Sequence, residues 1–305
     1  MKSIKARGMK EGTVLMLIAI PFLVYIFAFS YVPLFGWLYA FVDFRPALGP
    51  NPFIYTFKGL TYFTQMWSQH REVTRVLINT LAMSGLSLLT SPLSVVLAIL
   101  MMEIRGNKLK RVVQTVTTFP NFISWIIVFG IAYSFFSNDG VFASFKELLG
   151  FPQQTIGLLA NANAAWVFQT VLGLWKAIGW SAIIYCAAIS GIDESLYEAA
   201  RVDGASKIQC IRYITIPGVA ETFLVLFLLG VSNVLSNNFD QIFVFNNPMV
   251  TSKLMNLDLY VYRIGITQNQ YSFSIAVGIT RAFIGLALLF IANWVSKKIR
   301  GVSLV

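Results

Sequence analysis

The sequence predicts an all-α integral membrane protein with six transmembrane helices. Of its 305 residues, 57% are hydrophobic and only 12% are charged, whereas soluble globular domains carry about 25% charged residues. The mean hydropathy is +0.70. A soluble fold could not bury this much apolar surface, so the composition predicts a chain that crosses the membrane several times.

Charged residues bracket six apolar segments, and each is long enough for the roughly 20 residues that a bilayer crossing needs. The predicted spans cover residues 13–35, 76–102, 112–136, 164–189, 217–235 and 273–295. The first apolar run is too long for the core of a secretory signal and shows no cleavage site, so we interpret it as a retained helix. Pro21, Pro92, Pro120 and Pro217 predict kinks, which neighbouring helices can accommodate.

The distribution of basic residues predicts the orientation. If both termini lie inside the cell, the inner segments hold 14 of the 23 Lys and Arg residues and the outer segments hold 7. This bias predicts cytoplasmic termini and a cytoplasmic loop between spans four and five. The net charge of +10 is therefore a topology signal, and nucleic acid is excluded as a partner.

The loop between spans four and five predicts a short helix. Ser195 and Glu198 match a capping box, and Gly204 is placed to end the helix about two turns later. Local chemistry leaves two interpretations of Glu198 open. Glu198 only caps the helix, or the helix protrudes and Glu198 pairs with a basic residue of a partner. Ala199 and Ala200 would allow that partner to approach closely.

A second helix is predicted over residues 205–215. Ile208, Ile211 and Ile214 repeat every third residue there, which suits a helix lying in the membrane interface. Pro217 then stands in the first turn of the fifth span, where its missing N–H is no loss.

The same loop resembles a family signature. Residues Glu198, Ala199, Ala200, Gly204, Ile214 and Pro217 follow the pattern Glu-Ala-Ala, three residues, Gly, nine residues, Ile-x-Leu-Pro, with Ile216 replacing Leu. This pattern is the signature of the membrane subunits of bacterial ABC importers. The chain resembles their maltose-transporter class, and within it the multi-sugar, oligosaccharide or aldouronate-type permeases. Stretches such as Asn79-Thr80 and residues 239–243 add to a resemblance that covers residues 20–296.

The resemblance implies a type I ABC importer permease fold with a cytoplasmic coupling helix. It implies ATPase-coupling residues in the loop, namely Glu198, Ala199, Ala200, Asp203, Gly204, Ile214 and Pro217. The implied partners are a second, usually unlike, permease subunit, two ATP-binding cassette subunits, an extracytoplasmic sugar-binding protein and membrane lipid. ATP and Mg²⁺ would bind to the cassette subunits, with no cofactor in this chain. Closure of the ATPase dimer would then switch the cavity between inward- and outward-facing arrangements.

The implied organisation has three parts: residues 1–75 with the first helix and an outer loop, a permease core over residues 76–296, and a cytoplasmic tail over residues 297–305. The predicted location is the inner or plasma membrane. The aromatic residues of 36–75 are interpreted either as an interfacial belt or as a surface for the sugar-binding partner.

The sequence contains no signature of catalysis. It has no phosphate-binding Gly-x-x-x-x-Gly-Lys-Ser/Thr loop, and no metalloprotease or nucleophile-elbow motif accompanies the single histidine, His70. Cys186 and Cys210 are predicted to form neither a disulfide nor a metal site. We therefore predict a subunit that is not an enzyme.

Two charged residues fall inside predicted spans. Lys176 and Arg281 would each cost about 3 kcal/mol at a helix centre, so both should face the bundle interior or a wet cavity. One interpretation is hydrogen bonding to a sugar, with Trp175 and Trp180 stacking beside Lys176. The other is structural pairing with helix ends, with Glu221 or with Asp240. The predicted substrate path also includes Asn237, Asn238, Asp240 and Gln241 after the fifth span, which otherwise form a solvated loop.

A stand-alone secondary transporter is the alternative function. Such proteins often contain internal repeats, which this sequence lacks, and the loop signature would have no explanation. A membrane-embedded enzyme lacks clustered catalytic groups here, and a channel lacks a recognisable filter.

Overall fold

The computed structural model describes residues 11–150, 157–236 and 238–300, and these residues are predominantly α-helical. The helices are α1 Glu11–Ile26, α2 Thr61–Ser68, α3 His70–Thr90, α4 Pro92–Glu103, α5 Asn107–Thr118, α6 Trp125–Phe136, α7 Val141–Leu148, α8 Ala165–Ser190, α9 Glu194–Val202, α10 Lys207–Cys210, α11 Ile216–Ser232, α12 Phe239–Phe245, α13 Thr251–Leu254, α14 Leu257–Tyr262 and α15 Tyr271–Arg300. Among the described residues, β pairing is limited to one antiparallel bridge between Val42 and Phe57.

Six helical stretches in the described residues are long and apolar enough to cross a membrane, as predicted. They are Leu15–Phe41, His70–Glu103, Trp125–Phe145, Ala165–Ser190, Lys207–Ser232 and Tyr271–Trp294. The fourth span lies within one residue of its predicted bounds, and Gly191 follows its last residue. The other bounds shift because hydropathy locates the apolar middle of a helix better than its polar ends.

The third predicted span, 112–136, is two helices and not one. α5 ends at Thr118, a 3₁₀ turn occupies Phe119–Phe122, and the Ser124 hydroxyl caps α6 by accepting a hydrogen bond from the Ile127 amide at 3.4 Å. Pro120 has no amide hydrogen and its ring clashes with the preceding turn. The predicted kink is therefore a complete break.

The helix predicted over residues 205–215 is present from Lys207, but its separation from the fifth span is wrong. α10, a π-helical turn at Ile211–Thr215, and α11 run on as one helix from Lys207 to Ser232. The wider π turn ends at Thr215, two residues before Pro217, and gives room for the proline ring, which a regular α-turn would crowd. Pro217 therefore lies inside the fifth span and does not start it.

The chain divides into two compact units. The first comprises Met1–Ser68 and Val261–Thr280. Its described core is small: Ala40 packs with Ala276 and Ile279. The Ser272 hydroxyl ties the same unit together, because it donates to the Val42 carbonyl at 2.6 Å and accepts from the Phe44 amide at 3.0 Å.

The second unit comprises Gln69–Tyr260 and Arg281–Val305. Its main apolar core joins α4, α8 and α11, with Met101, Ala182 and Val219 buried at their contact. α5 also packs tightly on α8. A Cβ atom added at Gly179 would lie 2.1 Å from the Thr117 carbonyl oxygen, so the two backbones touch where any larger residue would separate them.

Candidate functional site

The loop after the fourth span forms α9, and its first residues are capped differently from the prediction. The Asp193 carboxylate accepts a hydrogen bond from the Ser195 amide at 2.9 Å. The predicted capping box of Ser195 and Glu198 is therefore wrong. An Asp at the N-cap position satisfies an otherwise orphaned amide near the positive end of the helix dipole. That backbone hydrogen bond holds the pKa of Asp193 below its ordinary value.

α9 ends at the predicted glycine. Gly204 has a φ of +79°, a left-handed conformation that glycine adopts without strain. Its amide donates to the Arg201 carbonyl at 3.1 Å, and the Ala205 amide donates to the Ala200 carbonyl at 2.9 Å. These two bonds form a Schellman motif, so α9 stops abruptly and the chain turns back toward the membrane span that follows.

The residues of the loop signature lie largely on the outer surface of this segment. Glu198, Ala199, Asp203 and Gly204 are exposed, and Ala200 is half-buried. In the described part of the chain, the side chain of Glu198 has neither a hydrogen bond nor an ion pair. Because Asp193 caps the helix, the interpretation of Glu198 as only a helix cap is wrong. Further along, Ile214 is half-buried and Pro217 is exposed.

α9 is joined to the spans by a few discrete contacts. The Tyr197 hydroxyl is 2.9 Å from the hydroxyl of the buried Thr215, in the π turn of the fifth span. A Cβ atom at Gly218 would lie 2.5 Å from the Ile192 side chain, so the connection before α9 rests directly on α11. A cavity of about 490 Å³ occupies the space between these supports. α9 is thus supported at points and not along its whole length.

A second, smaller cavity of about 200 Å³ lies within the same unit, between α3, α4, α8 and α12. The Gln241 amide donates to both the carbonyl and the side-chain oxygen of Gln169, each at 2.8 Å, and accepts from Asn238 at 3.3 Å. The cavity has no charged side chain in its described lining. Its polar residues are Ser87, Thr90, Ser91, Ser94, Gln169, Thr170, Ser181, Asn238 and Gln241.

The hydroxyl residues of this cavity were missed in the sequence. Ser87, Thr90, Ser91 and Ser94 recur at the spacing of one helix face, which is the signal that could have identified them. The sequence did not single them out because the segment that contains them is apolar overall. Of the predicted substrate-path residues, Asn238 and Gln241 line the cavity, and Asn237 lies outside the described residues.

Lys176 contacts the 3₁₀ turn that interrupts the third predicted span. Its ammonium donates to the carbonyls of Pro120 at 3.2 Å and Asn121 at 2.6 Å, and it lies 5.6 Å from the centre of the Trp125 ring. Trp180 packs edge-on against Phe122 of the same break, at 5.9 Å between ring centroids. The cation thus adds a donor to two carbonyls at the break, of which that of Pro120 also accepts from the Ile123 amide at 3.2 Å.

Arg281 is also satisfied from within the fold. It forms an ion pair with Asp258, and its other terminal nitrogen donates to the Ser236 hydroxyl at 2.6 Å. The predicted partners Glu221 and Asp240 were wrong. Asp240 is exposed on α12. Lys176, Trp175, Trp180, Asp240 and Arg281 do not contribute to the described lining of the polar cavity.

Comparison with known proteins assigns the chain to a family. Residues 90–301 match the model of the binding-protein-dependent transport system inner membrane component. Protein LplB of Bacillus subtilis is 35% identical over 295 residues, which cover 95% of this chain and 91% of that protein. The polygalacturonan/rhamnogalacturonan transport system permease protein YteP of the same organism is 33% identical, over 93% of this chain and 88% of its own length.

A solved structure has the same fold. A chain of a bacterial ABC transporter involved in the import of the acidic polysaccharide alginate superimposes with a TM-score of 0.85 at 29% identity, covering 94% of this chain and 96% of that one. The six apolar helices described above agree with an inner-membrane protein of several spans. This chain therefore belongs to the family of inner membrane components of binding-protein-dependent transport systems.

Proposed function

We propose that this chain is the transmembrane permease subunit of an ATP-driven importer for sugars or oligosaccharides. The observation that carries the proposal is α9, a capped and sharply ended helix between two membrane spans that presents Glu198, Ala199 and Gly204 outward. The substrate class is supported by relatives named for polysaccharide transport.

The proposed complex contains a second permease subunit, two ATP-binding cassette subunits and an extracytoplasmic sugar-binding protein. A structure of the alginate transporter in complex with an alginate pentasaccharide-bound periplasmic protein supports the last of these. ATP and Mg²⁺ would bind to the cassette subunits, since this sequence has no phosphate-binding loop. The present chain would act without a catalytic group of its own.

α9 is the proposed coupling helix. Glu198, Ala199, Ala200, Asp203 and Gly204 would contact a cleft of the ATPase subunit, with the small side chains permitting close approach. Ile214 and Pro217 belong to the helix behind this surface. Closure of the ATPase dimer would displace α9, and the Tyr197–Thr215 bond would carry that displacement into the fifth span.

The polar cavity is the proposed substrate path on this subunit. Its hydroxyl and amide groups can exchange hydrogen bonds with sugar hydroxyls, as Ser, Gln and Asn both donate and accept. Asn238 and Gln241 stay in the proposed path. Lys176 and Arg281 are proposed as structural cations, because their hydrogen bonds are made within the protein.

We further propose that both termini are cytoplasmic, together with the three-part organisation predicted from the sequence. Val202 and Phe53 are each 88% exposed and would lie on opposite sides of the membrane. In a background with Cys186 and Cys210 replaced by Ser, Phe53→Cys in intact cells should react with a membrane-impermeant maleimide. Val202→Cys should react only after the membrane is opened. The reverse pattern would contradict the orientation.

The coupling role is tested by Glu198→Gln, with Glu194→Gln as the matched control one turn earlier on the same exposed side of α9. The complex is purified with its co-expressed subunits, reconstituted, and assayed for ATP-driven uptake of alginate and polygalacturonan oligosaccharides. Glu198→Gln should lower uptake at least tenfold, whereas Glu194→Gln should transport normally. Equal uptake by both variants, or uptake driven by an ion gradient without nucleotide, would contradict the proposal.

A further inference from the structure

The start of α5 carries positive charge that the described protein does not balance. Arg105, Lys108, Lys110 and Arg111 lie within seven residues, and no Asp or Glu occurs from residue 104 to 118. The preceding carboxylate, Glu103, forms an ion pair with Lys207. Lys110 is half-buried and contacts the Met102 sulfur at 3.2 Å.

The other three cations point away from the protein core. Arg105, Lys108 and Arg111 are exposed, and none of them has an ion pair among residues 11–150, 157–236 and 238–300. Three uncompensated cations on adjoining turns repel one another. An anion from outside the chain would relieve that repulsion.

An exposed apolar stripe runs beside these cations. Leu109, Val112, Val116 and Phe119 are each more than half exposed. Their spacing places the first three on one face of α5, and Phe119 directly follows the last residue of α5. The adjoining side of α5 is occupied, since Val113 packs on the main core and the Thr117 backbone abuts Gly179. The apolar stripe and the exposed basic residues therefore lie side by side on the part of α5 that is not packed against the protein.

The order of charge and apolar surface along α5 indicates a lipid leaflet. The cations lie at the start of the helix, and the apolar stripe continues from them toward the membrane span Trp125–Phe145. A bilayer presents the same order, with anionic headgroups outside and hydrocarbon within. A soluble anion would match the cations but would leave the apolar stripe uncovered.

We propose that Arg105, Lys108 and Arg111, together with the stripe from Leu109 to Phe119, form a docking surface for anionic phospholipid, with the phosphodiester headgroups at the three cations. The proposal does not depend on the transported substrate or on the ATPase. Each Lys or Arg near an anionic leaflet contributes about 1 kcal/mol, which is about fivefold in affinity. Removal of two cations should lower the preference for anionic lipid about 25-fold.

The test uses the full-length chain, purified with whichever subunits accompany it. Phosphatidylglycerol and phosphatidylcholine are titrated separately, and lipid retention is measured by native mass spectrometry alongside the melting temperature. Lys108→Gln/Arg111→Gln is compared with Lys58→Gln/Arg71→Gln, which removes the same charge from exposed residues of predicted outer segments. The first variant should lose its preference for phosphatidylglycerol, and the second should keep it.

The direction in which the melting temperature shifts distinguishes lost lipid binding from misfolding. Cations near a helix N-terminus oppose the helix dipole, so without anionic lipid the Lys108→Gln/Arg111→Gln variant should melt at the same or a higher temperature than the wild type. In phosphatidylglycerol the same variant should melt at a lower temperature than the wild type, because it has lost the stabilising lipid contacts. A variant that melts lower in both lipids, or a loss of preference shared by the two double variants, would overturn the proposal. Equal stabilisation of the wild type by soluble glycerol phosphate would also overturn it.

Discussion

The charged residues inside the spans and those on α9 differ in how their hydrogen-bonding capacity is met. Lys176 donates to two carbonyls of a broken helix, and Arg281 pairs with Asp258. Glu198 and Asp203 are exposed, and no side-chain partner for either occurs in the described residues. A charge at membrane depth is expensive unless it is satisfied, so the fold supplies its partners. A charge held outside the membrane can stay unpaired until another protein meets it.

The largest effect on uptake should come from changing Gly204, the residue that ends α9. Gly204→Val forces a β-branched residue to a φ of +79°, which costs about 1–3 kcal/mol locally and disrupts the Schellman motif. ATP-driven uptake by the reconstituted complex should fall more than tenfold. Gly191→Ala is the control, because Gly191 has a φ of −86° that alanine adopts readily. Normal uptake by Gly204→Val would show that the shape of this turn is not required.

A smaller effect, on stability, is expected within the membrane. Arg281→Met removes the cation that pairs with the Asp258 carboxylate and should destabilise the protein by about 1–3 kcal/mol, less than for a fully buried pair because both side chains are only partly buried. Thermal unfolding in detergent measures the loss. Arg281→Met/Asp258→Leu removes both charges and should recover most of the stability. No recovery in the double variant would argue against the pairing with Asp258.

The smallest effect should come from the single hydrogen bond between α9 and the fifth span. Tyr197→Phe and Thr215→Val each remove one partner of a contact worth about 1 kcal/mol. We expect less uptake per ATP hydrolysed, with the complex still assembled. In a double-mutant cycle, the second substitution should add little to the first. Fully additive losses would show that the two residues act independently.

The sequence predicted the six spans and the end of α9 because both depend on local chemistry. Apolar length identifies a membrane helix, and a glycine two turns after a helix start indicates where the helix ends. Pairings between residues far apart in the chain could not be predicted from local sequence. Arg281 selects Asp258, 23 residues away, over Asp240 and Glu221 because of how α14 and α15 are placed. The helix continues through Pro217 because a π turn precedes it, and helix propensity does not predict π turns.

The uninterrupted helix from Lys207 to Ser232 has a mechanical consequence. Its 26 residues span about 39 Å at 1.5 Å per residue, enough to traverse the hydrocarbon layer. One end begins three residues after Gly204, and the other leads within a few residues to Asn238 and Gln241 of the polar cavity. A tilt of this helix at the end next to α9 would therefore also shift the Asn238 and Gln241 amides beyond its other end.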